Sequence, residues 1–146
     1  MKSTVKTYRE AAKAHLERAQ VELDGKQYYL AHYLSGLAVE CHLRAWLRRK
    51  TNQFDARHNI ERLARESGYY NHLPKTQEDA LSAVLGEISV RWRSDHRFFS
   101  VLRLLGHFNA IRAEMNSNGL SDRWERLARR LFDDANIIIE QGDKKW

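Results

Sequence analysis

The sequence predicts an all-α protein, an antiparallel bundle of about five to six helices. Apolar residues recur at steps of three and four over most of the chain, which is the spacing of one face of a helix. The 146 residues include one proline, Pro74, and seven glycines, so little interrupts long helices. No stretch alternates polar and apolar residues for long enough to predict a strand.

The first two helices are predicted to be long, adjacent and antiparallel. The first begins near Ser3 or Thr4 and ends at or just before Gly25. The second covers about residues 27–50 and is apolar nearly all round, as a central helix is. Two long helices joined by so short a turn must lie side by side in opposite directions. The apolar face of the first helix consists of Tyr8, Ala12, Leu16, Ala19 and Leu23.

Shorter elements are predicted in the middle of the chain. Residues 51–59 are predicted to be a loop, and residues 59–68 a short helix with Gly68 at its C-terminal cap. Residues 69–76 form the next predicted loop. Thr76 and Asp79 have the spacing of a capping box, which predicts a helix from about residue 77 to residue 90. The inward residues of that helix are predicted to be Ala80, Val84, Leu85 and Ile88.

Two further helices complete the predicted bundle. Ser94 or Asp95 can cap a helix over about residues 98–115, and the stretch NSNG breaks it. Ser121 or Asp122 can cap a last helix that continues to about Gln141. Since the chain shows no linker, repeat or low-complexity segment, residues 1–146 are predicted to form a single domain.

The apolar segments predict a soluble, cytoplasmic protein. The N-terminal stretch has no apolar signal core. The longest apolar run, residues 28–47, contains Glu40 and Arg44, so it predicts a buried helix and no membrane contact. Cys41 is the only cysteine, which rules out an internal disulfide and is typical of a buried, unreactive thiol in a reducing compartment.

Basic residues are in excess and unevenly distributed. The formal net charge is +6 and the isoelectric point about 9.6. Residues 41–65 contain seven arginines and lysines against Asp55 and Glu61. Such an excess attracts phosphate groups, so it favours a nucleic-acid partner. A solvated basic face without a ligand is the alternative.

Common catalytic and cofactor motifs are missing from the chain. There is no HExxH, no paired CxxC, no glycine-rich nucleotide loop and no GxSxG. The seven histidines are dispersed, and His32 and His42 in the predicted central helix are expected to be packed core residues. We therefore expect no metal and no cofactor. Any catalysis would depend on histidine, arginine and carboxylate side chains.

The stretch GKQYYLAHYLSGLAVECHLRAWL, followed by HNIERLARESG, resembles a HEPN domain. In that family a helix after a small-residue turn contains an Ala-x-Glu segment and then a basic-Ala-apolar patch. Here these are Ala38 to Glu40 and Arg44 to Trp46. A short His-x-apolar-x-x-Leu helix follows, with His58, Ile60 and Leu63. The resemblance covers about residues 8–98 and the last helix.

The resemblance implies candidate catalytic residues. Many HEPN proteins are metal-independent ribonucleases with an Arg-x(4–6)-His signature between the third and fourth long helices. Arg91 and His96 have this spacing at that junction. A histidine can transfer protons near neutral pH, and a guanidinium can bind phosphate. His96 would be the general acid/base and Arg91 the phosphate clamp, with Glu40 or Asp95 orienting one of them.

The resemblance also implies partners. Family active sites form where two protomers meet, so a homodimer is expected, with RNA as the substrate. The resemblance is also compatible with a protein partner, either an antitoxin or a nucleotidyltransferase. Tryptophans that look exposed in the sequence also favour a dimer: Trp92, Trp124 and Trp146. The arginines expected to contact RNA are Arg44, Arg48, Arg93 and Arg97.

Departures from the family pattern leave a structural alternative open. The residue after the motif arginine is usually polar in the nucleases, and here it is Trp92. Toxins partnered with a nucleotidyltransferase often have His-x-Tyr, and here the third residue is Phe98. In the alternative, Ser94 and Asp95 cap the next helix, Trp92 and Phe98 pack across its first turn, and Arg91 is solvated or paired. The protein would then be a non-catalytic helical module that dimerises and binds a partner or nucleic acid.

Overall fold

The computed structural model describes residues 4–51, 59–93 and 119–146, and gives only the backbone of residues 119–123. Within these ranges the chain forms α-helices and one short 3-10 helix, without a strand. The all-α prediction is therefore confirmed. The elements are α1 (Val5–Asp24), α2 (Tyr28–Lys50), α3 (Ile60–Glu66), the 3-10 helix (Tyr69–His72), α4 (Lys75–Arg91) and α5 (Gly119–Asp143).

The helices α1 and α2 form an antiparallel pair. The Thr4 hydroxyl caps α1 by accepting a hydrogen bond from the Thr7 backbone N–H at 3.1 Å. Helix α1 ends at Gly25, and Lys26 turns the chain with a positive φ of 62°. His42, in the second half of α2, lines the same groove as Arg9 in the first half of α1, so the helices run in opposite directions. The predicted limits and orientation of both helices are confirmed.

Helix α2 is the central element of the bundle. Fourteen of its 23 residues are buried, as expected for a helix covered on most sides. Leu43 and Trp46 belong to a core cluster that also includes Leu63 of α3, Leu85 of α4 and Leu131 of α5. Burial of side chains of this size stabilises a fold by about 1.5–3 kcal/mol each. The core therefore joins α2 to α3, α4 and α5.

The segment after α3 contains a short 3-10 helix where a loop was predicted. Helix α3 is capped by Asn59, and Gly68, predicted at its C-terminal cap, follows its end with a φ of 78°, the left-handed conformation typical of a glycine there. The next residues, predicted to be a loop, form the 3-10 helix instead. Tyr69 is fully buried there, and its hydroxyl donates a hydrogen bond to the Ile138 carbonyl oxygen at 2.8 Å. This contact anchors the segment to α5.

The predicted start of α4 is wrong. The helix begins at Lys75, directly after Pro74, so Thr76 lies inside its first turn and does not cap it. The Pro74 carbonyl accepts the Gln77 N–H at 2.9 Å and provides the first turn of backbone bonding. Ala80, predicted to face inward, is exposed. The buried residues of α4 are Leu81, Leu85, Ile88 and Arg91.

Helix α5 also begins earlier than predicted. It starts at Gly119, so neither Ser121 nor Asp122 precedes it as a cap, and it ends at Asp143. Gly142 is buried against the His42 ring, where a Cβ atom would lie 2.0 Å from His42 Nε2. The predicted helix over residues 98–115, its caps and the NSNG break before Gly119 lie outside the described residues, as do residues 52–58 of the first predicted loop.

The tryptophans expected at the surface are mostly buried. Trp92 is 2% exposed and Trp124 is 5% exposed, while Trp146 is half-buried. They are therefore no evidence for an apolar dimer surface, and the predicted homodimer rests on the family resemblance alone. The error arose because burial of a single aromatic residue depends on which helix lies opposite, and the residue spacing does not show that.

An aromatic stack joins three elements at one end of the bundle. The ring of Trp46 on α2 lies 4.4 Å from that of His72 and 4.4 Å from that of Trp146, measured between centroids. The Arg9 guanidinium lies 4.5 Å over the Trp146 ring and the Arg49 guanidinium 5.3 Å from it. Cation–π contacts of this kind stabilise by about 0.5–1 kcal/mol at exposed positions. We call His72, Trp46 and Trp146 the aromatic stack.

The polar residues inside α2 are packed as predicted. Cys41 is buried, and burial raises the pKa of its thiol to about 12, which keeps the sulfur protonated and unreactive. His42 is 1% exposed, and burial lowers its pKa to about 3. Its Nε2 accepts a hydrogen bond from Trp46 Nε1 at 3.2 Å, so the neutral ring is a core residue. His32 is also buried, against the edge of Trp124.

Within the described ranges, none of the helices combines the length and the hydrophobicity needed to cross a lipid bilayer.

Candidate functional site

Arg91 is the last residue of α4, and the residue after it is fixed by α2. Trp92 has extended backbone, with φ −124° and ψ 136°, so α4 ends there. Its indole N–H donates to the Tyr33 carbonyl oxygen at 3.0 Å, and its ring lies directly over Gly36. The positive charge of Arg91 also suits the C-terminal end of a helix dipole. These contacts hold the backbone of Arg91 in one place.

The side chain of Arg91 is buried and paired. The residue is 5% exposed. Its Nη2 lies 3.0 Å from Oε1 of Glu87, one helical turn earlier. The same Glu87 oxygen contacts Nη2 of Arg130 on α5. One carboxylate therefore binds two guanidinium groups and joins α4 to α5.

Asp134 adds a second carboxyl group to this arrangement. It lies one turn after Arg130 on α5, near enough to Glu87 for the two carboxyl groups to interact electrostatically. Burial and the negative charge of Glu87 raise the pKa of Asp134 to about 6. We call Glu87, Arg91, Arg130 and Asp134 the acid–arginine network. It is the charged cluster that the structure places around the candidate phosphate clamp.

Sequence reasoning missed three members of the network. Glu87 precedes Arg91 by four residues, and Arg130 precedes Asp134 by four, a spacing that places side chains on one face of a helix. That spacing could have identified each local pair. It could not show that the two pairs meet, because Glu87 and Arg130 are 43 residues apart in the chain.

The other half of the predicted catalytic pair is not described. His96, Asp95 and Arg97 lie outside the described residues. Glu40, the second candidate for an orienting carboxylate, is 4% exposed and lies 3.9 Å from Arg44 on the same helix. A buried carboxylate paired with an arginine is the structural alternative for Glu40.

The arginines predicted to bind RNA differ in accessibility. Arg44 is 8% exposed and paired with Glu40, so it lies in the interior and not on the basic surface. Arg48 is half-buried, and Arg93 is exposed just after α4. Of the described members of the predicted set, Arg93 is therefore the most accessible to a phosphate.

A second basic region surrounds the aromatic stack. Arg49 and Lys50 are exposed at the end of α2, and Arg9 and Lys145 lie nearby on α1 and after α5. The pKa of His72 is lowered by partial burial and then by the positive charges of Arg49 and Lys145. Exposed cations in this region fit the sequence prediction of a basic surface. Their positions indicate where a polyanion would first be attracted.

An open groove of about 660 Å³ lies between α1 and α5. His42 contributes to its floor, and Arg9 and Asp143, which pair at 3.8 Å, lie at its edge. Its lining has both signs of charge, so it does not favour an anion over a cation. Among the residues described, no group of three or more histidine, cysteine or acidic side chains is arranged to bind a metal ion.

The bundle of long helices, with a buried arginine at the end of α4, defines a class of small all-α domains. A family model described as the HEPN domain matches residues 5–141 of the 146-residue chain. The chain therefore belongs to the HEPN domain family, a family of nucleotide-binding or ribonuclease type. No curated protein and no solved structure matches the chain.

Replacement of Arg91 by alanine is expected to lower the free energy of unfolding by about 1–3 kcal/mol. The substitution leaves Glu87 with one fewer cation and removes a buried side chain at the contact between α4 and α5. Arg93→Ala, at an exposed position two residues later, is the matched control and is expected to change stability by less than about 0.5 kcal/mol. Urea unfolding followed by circular dichroism measures both. Equal stability of Arg91→Ala and the wild type would contradict a structural contribution of this pair.

Proposed function

We propose that the protein is a metal-independent endoribonuclease in which Arg91 and His96 act on the RNA backbone. The observation that supports this most strongly is the position of Arg91. It ends α4 in a chain whose family includes ribonucleases, and it is held before any substrate arrives by Glu87 and by the anchored Trp92. A cation fixed in advance loses little freedom when it binds a developing negative charge.

The proposed reaction needs a proton acceptor, a proton donor and a cation. The ribose 2′-oxygen forms a bond to phosphorus as its proton passes to His96, and the bond from phosphorus to the 5′-oxygen breaks as protonated His96 gives that proton to the leaving oxygen. Arg91 stabilises the added charge on the phosphate oxygens. The products are a 2′,3′-cyclic phosphate and a 5′-hydroxyl. Glu87 keeps the Arg91 guanidinium in place, the orienting role first expected of Glu40 or Asp95.

The proposal includes a homodimer and a cytoplasmic location. HEPN domains often dimerise, and the resemblance implies that two protomers build one site. One chain has a mass of 17.2 kDa, so light scattering distinguishes the dimer directly. A mass of one chain at high micromolar concentration would refute the dimer without deciding the activity. Arg93 and the basic region around the aromatic stack are the proposed RNA contacts.

A second candidate function is favoured by the burial of Arg91. Arg91 is 5% exposed and shares the Glu87 carboxylate with Arg130. A purely structural ion pair has the same features. The protein would then be a non-catalytic HEPN module that binds RNA, an antitoxin or a nucleotidyltransferase through its exposed cations. Trp92 and Phe98, which depart from the nuclease pattern, fit this alternative.

Incubation of the purified protein with RNA separates the two functions. Single-stranded and structured RNAs are treated in EDTA, and the new ends are identified by mass spectrometry. We expect cleavage that leaves 2′,3′-cyclic phosphates, because side chains alone perform the proposed proton transfers. RNA that is bound and stays intact would support the non-catalytic module and contradict the nuclease. Induced expression of the wild type is expected to stop cell growth only if the protein is a ribonuclease.

A further inference from the structure

The aromatic stack ends in an imidazole ring that solvent can reach. The centroids of the His72 and Trp46 rings lie 4.4 Å apart, and the two ring planes are inclined by 33°. Trp46 is 1% exposed, whereas His72 is an exposed residue at the end of the 3-10 helix. Trp46 therefore covers one face of the imidazole and leaves the ring accessible from the other side. An open ring face supported by a buried ring is a surface on which a further planar group can stack.

The neighbours of the His72 ring are held firmly. Trp46 donates a hydrogen bond from Nε1 to His42 Nε2 at 3.2 Å, and its ring packs edge to face against Tyr69. The Tyr69 hydroxyl is bound to a backbone carbonyl of α5, and Leu73, directly after His72, is buried. A surface that is built before the ligand arrives loses little conformational freedom on binding.

Among the described residues, the charged groups that act on the His72 ring are both positive. Arg49 and Lys145 are exposed, and their charges lower the pKa of His72 after the larger effect of partial burial. Since that pKa lies below its ordinary value, the ring is mostly neutral at neutral pH. The Arg49 guanidinium lies 5.4 Å from the Trp46 ring centroid and 5.3 Å from that of Trp146. The region thus combines a neutral ring face with cations beside it.

We propose that His72 is a stacking platform for one base of a single-stranded RNA, with the phosphates beside that base lying against Arg49 and Lys145. Every nucleobase has a planar face that can stack on a side-chain ring, and neighbouring cations bind the backbone that carries the base. The inference rests on the proposed function only for the kind of ligand. The ribonuclease and the non-catalytic module both bind RNA, so the platform serves either of them.

The platform is separate from the candidate phosphate clamp. Trp92, next to Arg91, packs on Gly36 of α2, and Trp46 follows that glycine by ten residues on the same helix. Ten residues correspond to about 15 Å along a helix axis. The platform is therefore expected to contribute to the affinity for RNA and not to the chemistry at Arg91.

Binding of a single-stranded RNA with 2′-O-methyl groups, which cannot be cleaved, tests the platform in the full chain. Fluorescence anisotropy of an end-labelled oligonucleotide gives the Kd at several salt concentrations and neutral pH. His72→Ala is expected to raise the Kd about fivefold or more, because one base loses its stacking partner. The salt dependence of the Kd is expected to stay that of the wild type, since a neutral ring displaces no counterion. His72→Phe keeps a ring and is expected to restore the affinity.

Matched measurements separate stacking from charge. Asn71→Ala changes the exposed residue before His72 and is expected to leave the Kd unchanged. Arg49→Gln is expected to weaken binding and to reduce the salt dependence by about one phosphate contact. An abasic oligonucleotide of the same length and charge is expected to bind the wild type about fivefold or more weakly than the RNA with bases.

Two results would overturn the inference. One is equal affinity of the wild type for the abasic oligonucleotide and for the RNA with bases, which would show that the region binds any polyanion. This comparison needs no variant, so it decides even if a substitution at His72 alters the fold. The other is wild-type affinity in His72→Ala, including the case in which neither protein binds RNA. Cleavage of unmodified RNA by the wild type is measured separately, so failure of the nuclease proposal is distinguishable from failure of the platform.

Discussion

His96→Ala is expected to lower the rate of RNA cleavage by about 10²–10⁴ while leaving the helical circular dichroism signal unchanged. The size of the effect follows from the loss of the general acid/base in the proposed reaction. Initial rates on a fluorescently labelled RNA at saturating concentration measure it. His15→Ala, which removes a half-buried histidine from α1, is the control and is expected to cleave at the wild-type rate.

Two results would contradict a catalytic role for His96. The first is an unchanged rate in His96→Ala. The second is a large loss of stability, because a histidine that acts on bound RNA is expected to be accessible, and substitutions of accessible polar residues usually change stability by less than about 0.5 kcal/mol. Arg91→Ala cannot decide the question by itself, since Arg91 is buried against Glu87 and its removal is expected to affect the fold as well. The histidine is therefore the cleaner test of the two residues.

Gly36→Ala is expected to destabilise the protein by about 3 kcal/mol or more. An alanine Cβ would lie 2.1 Å from Cδ1 and Cγ of Trp92, far inside van der Waals contact. The indole cannot move away easily, because it is buried and its N–H donates to the Tyr33 carbonyl oxygen. Since Trp92 follows Arg91 directly, the variant would also shift the candidate phosphate clamp.

Gly86→Ala is the matched control for this substitution. Gly86 also lies within a helix, but among the described residues no atom beyond its own helix backbone and its chain neighbours lies within 4 Å of the position its Cβ would take. Alanine there is expected to stabilise the protein by about 0.5–1 kcal/mol, because it restricts the unfolded chain. Urea unfolding compares the two variants. If Gly36→Ala were as stable as the wild type, the packing of Trp92 on α2 would be refuted.

The sequence predicted both ends of α1 and α2 well because contacts close in the chain determine them. Thr4 caps α1 with its own hydroxyl, and Gly25 ends the helix. Gly68 takes the left-handed conformation that follows α3. Such contacts involve residues close together in the chain, so the pattern of residue types is enough to find them. The central position of α2 was likewise visible in its continuous apolar surface.

Predictions that needed tertiary context failed. Thr76 and Asp79 have the spacing of a cap, but the helix starts one residue before Thr76 because the backbone of Pro74 already provides its first turn. Ala80 is exposed while the next residue, Leu81, is buried. Trp92 is buried because α2 presents a glycine opposite it. For Ala80 and Trp92 a neighbouring segment decides the outcome, and a single sequence contains no direct record of that neighbour, whereas the start of α4 is decided locally by Pro74.

In the candidate site, too, local features were predicted and tertiary contacts were missed. The family resemblance selected Arg91, and its place at the end of a helix was predicted. The burial of Arg91 was not predicted, because the spacing of residues in α4 does not indicate that Arg130 and Asp134 of α5 lie near it. The burial of Arg44, a predicted RNA contact, was missed for a similar reason, since a basic residue in α2 can lie inside the bundle when a glutamate such as Glu40 is one turn away.

The aromatic stack gives the protein an intrinsic optical reporter. The indole rings of Trp46 and Trp146 lie 4.4 Å apart with planes inclined by 31°, close enough for their excited states to couple. Such a pair produces an exciton couplet in circular dichroism and alters the fluorescence of both rings. If the end of α5 separated from α2, the couplet would disappear although the helices themselves remained. Spectroscopy without any added label can therefore report whether α5, the helix that contains Arg130 and Asp134, is docked on the bundle.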